Sequence, residues 1–237
     1  MNNTNHGFSE MTKSEEPIKS VNRRNFLRGA GLTTVAGALV MASCKKTDDP
    51  ITPTNAVDLG SGDVGILNYA YALEQLEAAF YVQVIATPFT GMTDAEKSLL
   101  TDVRDHEVIH RDFFKTALGA NAIQALEVNF TGIDFTSRAS VLGTAKVFED
   151  TGVSAYNGAG KLLKDPNLLL LAGKIVSVEA RHAAVIRDLL QPNSASFAGD
   201  DIIDNNGLDK AAKPADILAA VQPFIKTKIS GANLPTA

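Results

Sequence analysis

Residues 107–110 read Glu-Val-Ile-His, and residues 179–182 read Glu-Ala-Arg-His. A carboxylate and an imidazole three residues apart lie on one face of an α-helix. Both segments lie in stretches whose apolar residues recur at helical spacing. The sequence therefore predicts two helices that present the same pair of side chains, and this repeat decides the fold that we predict.

Each of these glutamates has a partner 30 residues upstream, because Glu77 precedes Glu107 and Glu149 precedes Glu179 by that distance. In an antiparallel helical hairpin, residues equidistant from the turn lie at the same height. The midpoint of each pair falls where independent signals place a turn, a capping box at 93–96 and Lys-Asp-Pro at 164–166. Each hairpin is thus expected to bring a glutamate beside a Glu-x-x-His pair.

Apolar spacing and helix-start signals predict four long helices and a shorter fifth. Residues 119–136, with a β-like aromatic patch at 128–135, form a connection long enough to return along a bundle. We therefore predict an all-α fold, the ferritin-like four-helix bundle, in which a long crossover joins two antiparallel hairpins. The predicted helices are 63–86, 94–118, 137–163, 166–190 and 215–228, the last interrupted at Pro223.

Stacking the two hairpins would bring four carboxylates and two imidazoles to the bundle centre, where unpaired ions cost several kcal/mol each. Cations would make this arrangement favourable, and oxygen and nitrogen donors suit two divalent ions, Fe or Mn. The alternative is that each Glu-x-x-His pair lies on a solvated helix face. In the metal-binding hypothesis Glu77 and Glu149 are terminal or chelating ligands, Glu107 and Glu179 bridge the metals, and His110 and His182 bind one metal each.

Further side chains are predicted around this site. Glu74 lies one turn before Glu77 and is expected in the surrounding shell, with direct ligation in place of Glu77 as the alternative. Tyr81 and Tyr156 are expected to hydrogen-bond near the metals or to serve as plain core aromatics. His106 lies about 100° around its helix from Glu107, so we expect it to be structural or exposed.

The N-terminal segment is predicted to be a targeting signal. Asn22-Arg23-Arg24-Asn25-Phe26-Leu27-Arg28 precedes an uncharged, Gly- and Ala-rich stretch and resembles a twin-arginine export signal. Leu39-Val40-Met41-Ala42-Ser43-Cys44 resembles a lipobox, which implies lipidation at Cys44; a buried free cysteine is the alternative. We predict a signal at 1–44, a flexible tether at 45–60, the bundle at 61–192 and a C-terminal extension with a short helix at 193–237.

Composition excludes several classes of protein. Twenty-seven acidic against 22 basic residues argue against nucleic-acid binding. A single cysteine allows neither an intrachain disulfide nor a thiolate metal site. Downstream of the N-terminal segment there is no apolar run of about 18 residues, which excludes a polytopic membrane protein.

Four segments of the predicted helices stand out together: residues 68–81, Glu107-x-x-His110, Phe148-Glu149-Asp150-Thr151-Gly152 and Glu179-Ala180-Arg181-His182. They resemble the bacterial ferritin-like domain family that includes desiccation-related proteins, and more remotely manganese catalases and rubrerythrins. The resemblance covers roughly residues 60–190, and the missing cysteine pairs argue against a rubredoxin-type iron centre.

These features predict an exported, lipid-anchored protein of the periplasm or cell envelope that binds two Fe or Mn ions. Reaction with peroxide or dioxygen is expected, and catalase-like dismutation is preferred to an oxidase because it needs no external electron donor. The alternative is a non-enzymatic stress-related structural or binding protein. Expected partners are a small-molecule oxidant, the membrane and a second copy of the chain. The outer face of helix 166–190 is apolar, so we expect either that second copy or residues 193–237 to cover it.

Overall fold

A computed structural model describes residues 56–236. The predicted export signal, Cys44 and most of the predicted tether lie outside the described residues. Within 56–236, no helix has the length and apolar character needed to cross a membrane.

Four long helices and a short fifth dominate residues 56–236. They are α1 (Gly62–Ala86), α2 (Asp94–Leu118), α3 (Arg138–Gly160), α4 (Pro166–Leu190) and the short α5 (Pro214–Val221). Helix α2 begins with the predicted capping box, in which the Thr93 hydroxyl accepts from the Glu96 amide and the Glu96 carboxylate accepts from the Thr93 amide. Helix α4 is capped by Asp165 and has Pro166 as its first residue.

The helices form two antiparallel hairpins. Helix α1 packs along α2, α3 packs along α4, and α1 joins the hairpins by packing against α3. Gly91, with φ of 77°, allows the tight turn between α1 and α2. This arrangement confirms the predicted all-α, ferritin-like bundle. The core includes Tyr69, Leu76, Phe80, Leu100, Leu142, Phe148 and Ile186.

Buried amides of α1 hold the crossover between the hairpins. The Asn68 side-chain amide donates to the carbonyls of Leu59 and Asn121, and its oxygen accepts from the Ile123 amide. Two turns further along, Gln75 accepts from the Leu126 amide at 2.8 Å. These bonds satisfy backbone groups that have no strand or helix partner.

The predicted β-like patch at 128–135 forms no strand; its only pairing within the described residues is a single bridge between Val128 and Ile225. Two short strands instead pair in parallel, β1 (Val57–Asp58) with β2 (Ile229–Ser230).

The C-terminal extension covers part of the second hairpin. The Ala212 amide donates to the Ser154 carbonyl on α3, and a 3₁₀ turn at Ala195–Ala198 packs against α4. Helix α5 ends at Val221, earlier than predicted, and a 3₁₀ turn at Gln222–Phe224 follows, because Pro223 has no amide hydrogen to continue the helix. The extension covers only part of α4, since Leu169 and Leu170 remain exposed.

Candidate metal centre

The two Glu-x-x-His pairs meet inside the bundle and form two overlapping groups of potential metal ligands. One group combines Glu74, Glu107, His110 and Glu179, and the other combines Glu107, Glu149, Glu179 and His182. Within each group the candidate donor atoms all lie within 4.8 Å of one another. Glu107 and Glu179 belong to both groups, which is the placement expected of bridging carboxylates.

Both histidines face the carboxylates with Nδ1. Nδ1 of His110 lies 2.8 Å from a Glu179 oxygen and 3.5 Å from a Glu74 oxygen. Nδ1 of His182 lies 2.8 Å from a Glu107 oxygen and 3.5 Å from an oxygen of Glu149. Each imidazole therefore reaches a bridging glutamate of the opposite helix and a terminal glutamate.

These short separations lack hydrogen-bond geometry, so the donor atoms converge without pairing with one another. Eight atoms of the cluster are buried and have no hydrogen-bond partner among the described residues. Unpaired buried polar atoms are rare in native proteins and call for an explanation such as an ion. A pair of cations at the convergence points would satisfy all eight, so the residues fit a dinuclear metal centre. The atoms are Oε2 of Glu74 and Glu149, both carboxylate oxygens of Glu107 and of Glu179, and Nδ1 of His110 and His182.

Burial and neighbouring charges shift the pKa values of several residues in the cluster far from their ordinary values. Burial raises the pKa of Glu149 to about 8, and nearby Glu107 adds to the effect. Burial also opposes ionisation of Glu107, but close contacts with His110 and His182 outweigh it and lower the pKa of Glu107 to about 2. Burial disfavours charge on both imidazoles as well, yet the surrounding glutamates raise the pKa of His110 and of His182 to about 12. Protons and metal ions would therefore compete for the same donor atoms.

The structure separates the two glutamates of α1. Glu74, which we expected in the surrounding shell, supplies a donor atom to the first group, whereas Glu77, the ligand that we predicted, belongs to neither group. Glu77 is nevertheless buried, and its carboxylate lies beside Gly152. A Cβ added to Gly152 would lie only 3.2 Å from Oε1 of Glu77. The geometry thus favours the alternative in which Glu74 is the α1 ligand.

Each terminal carboxylate is held by a tyrosine of the other hairpin. Tyr81 on α1 donates a hydrogen bond of 2.5 Å to Glu149 on α3. Tyr156 on α3 donates to Glu74 on α1. Both tyrosines are buried, and these bonds fix the orientation of Glu74 and Glu149.

A sequence model of the ferritin-like domain matches residues 62–192, which span α1 to α4 and every residue of the cluster. The chain belongs to the ferritin-like domain family. A comparison of the sequence with curated proteins finds no significant match. Membership of the ferritin-like family is consistent with the bundle and with a buried carboxylate and histidine cluster that can bind metal.

A repeat within the ferritin-like domain is a sequence signal that also points to Glu74. Glu74 precedes Tyr81 by seven residues, and Glu149 precedes Tyr156 by the same distance. This repeat relates α1 to α3 by 75 residues, whereas the Glu-x-x-His pairs relate α2 to α4 by 72 residues. Our prediction of Glu77 applied the second spacing to both pairs of helices.

His106 is another residue whose contact the sequence analysis missed. It is exposed, in line with one of our two expectations, but its Nδ1 lies 2.9 Å from Nε2 of His182. The two rings lie nearly parallel, with centroids 5.1 Å apart. The contact joins α2 to α4, so no spacing along a single helix reveals it.

Proposed function

We propose that this ferritin-like protein is an exported, membrane-anchored dinuclear metalloprotein that binds two Fe or Mn ions and reacts with peroxide or dioxygen. The observation that carries the proposal is the set of eight buried, unpaired donor atoms that converge in two groups sharing Glu107 and Glu179. A set of oxygen donors with one imidazole per ion suits Fe and Mn.

In this proposal each residue of the cluster has a distinct role as a metal ligand. Glu74 and His110 would complete one metal position, Glu149 and His182 the other, and Glu107 and Glu179 would hold the two ions together. Two adjacent redox-active ions supply two-electron chemistry at one place. The tyrosine hydroxyls hold the terminal carboxylates in place, and the surrounding apolar side chains keep bulk water away.

The structure favours a small substrate. The side chain of His110 is 12% exposed, whereas those of Glu107, Glu149 and Glu179 are 0–1% exposed. A small oxidant such as hydrogen peroxide would thus reach the centre beside His110. Catalase-like dismutation remains the preferred reaction, because one peroxide molecule supplies the electrons that reduce another.

The decisive experiment measures metal content and then turnover. The purified protein, loaded with Mn(II) or Fe(II) and desalted, should retain two ions per chain and evolve oxygen from hydrogen peroxide. The double variant E107A/E179A should lose both ions, while E127A, which removes an exposed glutamate outside the cluster, should retain them. Fewer than one ion per unsubstituted chain would refute the dinuclear centre. Two ions without turnover would favour the non-enzymatic binding function.

The export part of the proposal has its own test. Twin-arginine signals depend on the arginine pair, so the double variant R23K/R24K should accumulate inside the cell. C44S should be exported without the lipid and should leave the membrane fraction. Export of the lysine variant at an unchanged level would contradict the proposed signal, and retention of C44S in the membrane would contradict the anchor.

A further inference from the structure

The two ring nitrogens of His182 face different surroundings. Nδ1 points into the carboxylate cluster, 2.8 Å from Glu107. Nε2 points towards the surface, where Nδ1 of His106 lies 2.9 Å away. A neutral imidazole carries one proton, so Nδ1 is free to bind a metal only when Nε2 holds the hydrogen.

His110 has no counterpart to this arrangement. Its Nδ1 also faces the cluster, but within residues 56–236 no hydrogen bond reaches its Nε2. The 72-residue repeat that relates α2 to α4 explains the difference, because it pairs His106 with Val178. The side chain of valine offers no hydrogen-bond acceptor, so Nε2 of His182 has an imidazole partner and Nε2 of His110 has none from the related position.

Apart from His106, the two proposed metal positions have the same types of neighbouring residue. Both positions share Glu107 and Glu179, and each has one terminal glutamate held by a tyrosine. The imidazole of His106 is thus the clearest chemical difference between them. A partner that accepts the free N–H of a metal-binding histidine orients the ring and raises its basicity, and its loss typically costs 10- to 100-fold in metal affinity.

We propose that His106 is a positioning residue that accepts a hydrogen bond from Nε2 of His182, holds the tautomer whose Nδ1 binds metal, and makes the His182 position the tighter of the two. The inference rests on the proposed dinuclear centre and deepens it, since it predicts that the two ions bind in a fixed order. The first ion would occupy the position formed by Glu107, Glu149, Glu179 and His182.

The repeat supplies a reciprocal pair of variants. H106V gives α2 the residue found at the related place on α4, and V178H gives α4 the residue found on α2. Calorimetric titration of the unsubstituted full-length protein with Mn(II) should resolve a tight and a weaker binding event. H106V should weaken the tight event by about 10- to 100-fold and leave the weaker one unchanged. V178H should strengthen the weaker event.

H106Q separates positioning from packing. A glutamine has a carbonyl oxygen that accepts the same hydrogen bond, so H106Q should retain most of the affinity that H106V loses. In the Zn(II)-loaded, ¹⁵N-histidine-labelled protein, the Nε2 resonance of His182 should shift in H106V and return towards its original position in H106Q. Circular dichroism reports folding, and H106M replaces H106V if the valine variant fails to fold.

The outcomes separate the inference from the function on which it rests. Two ions bound with identical isotherms in the unsubstituted protein and in H106V would overturn the role of His106 and leave the dinuclear centre in place. Equal losses in H106V and H106Q would overturn it as well, because the acceptor would then have no effect. An unsubstituted protein that binds no Mn(II), Fe(II) or Zn(II) would refute both proposals.

Discussion

Glu74 and Glu77 lie one turn apart on α1, and both are buried at the carboxylate and histidine cluster. Their surroundings differ. Glu74 has Tyr156 as a hydrogen-bond donor and His110 within 3.5 Å. Glu77 occupies the gap beside Gly152 and belongs to neither ligand group. Burial raises the pKa of both carboxyls well above the ordinary value, so the tyrosine contact and the place in a ligand group are what distinguish Glu74.

This difference predicts opposite effects for two matched variants. E74Q removes an anionic donor from the first ligand group, so Mn(II) affinity at that position should fall at least about tenfold, equal to about 1.4 kcal/mol. E77Q removes a carboxylate outside both groups, so two ions should still bind, and the apo-protein should unfold at a higher temperature because a disfavoured buried acid is gone. Calorimetry and thermal melts of both variants measure these effects. Loss of an ion in E77Q with full loading of E74Q would support Glu77, our first assignment, as the α1 ligand.

At the scale of the helices, most of the fold follows from the sequence. The four long helices begin within one residue of the predicted positions, because a capping box at Thr93 and an Asp165-Pro166 pair have strong local preferences. Their pairing follows from the matched spacing of Glu107 and Glu179 from their upstream partners. Local patterns of this kind specify the hairpins before any contact between hairpins is known.

Contacts between the hairpins were not predictable in the same way. The rule that residues equidistant from the turn lie at one level applies only within a hairpin. It places Glu77 level with Glu107 and, equally well, Glu74 level with His110. Only the repeat of Glu74 and Tyr81 in Glu149 and Tyr156 points to Glu74 in the sequence. The role of His106 depends on a contact between α2 and α4. Side-chain partners across a bundle are set by tertiary packing, which helical periodicity does not encode.

Replacing a glycine inside a helix by alanine usually stabilises a protein, but the packing of the C-terminal extension on α3 predicts the opposite effect at Gly158. A Cβ on Gly158 would lie 1.7 Å from the Ala212 carbonyl oxygen, whereas one on Gly143 of the same helix would meet no atom within 4 Å. G143A should therefore stabilise the protein by about 0.5–1 kcal/mol, the usual gain in helix propensity. G158A should destabilise it by about 1–3 kcal/mol, because the extension must move.

Urea unfolding of the two glycine variants gives the free energies directly. Neither residue belongs to the carboxylate and histidine cluster, so both variants should retain the Mn(II) stoichiometry of the unsubstituted protein. Equal stabilisation by G143A and G158A would contradict the close packing of residue 212 on α3.

For the molecule as a whole, the buried cluster couples stability to pH and to metal. In the apo-protein the pKa of Glu149 is raised to about 8, so the folded state binds a proton that the unfolded state releases near the ordinary pKa of 4.5. The pKa values of His110 and His182 are raised from 6.5 to about 12, and their contribution is lost as pH rises above 6.5. Both effects have the same sign, so apo-protein stability should fall as the pH rises from 5 to 9, by at most about 1.4 kcal/mol per pH unit for each proton.

Metal binding should reverse this trend. Ions need the deprotonated ligands, so binding releases protons and becomes tighter as the pH rises. Thermal melts from pH 5 to 9 should therefore show a falling midpoint for the apo-protein and a widening gap between apo- and Mn(II)-loaded protein. E149Q, which replaces one titrating acid with an amide, should flatten the apo-protein curve. An apo midpoint that rises with pH over this range would show that the cluster is ionised without metal, and the buried carboxylates would then need another source of compensating charge.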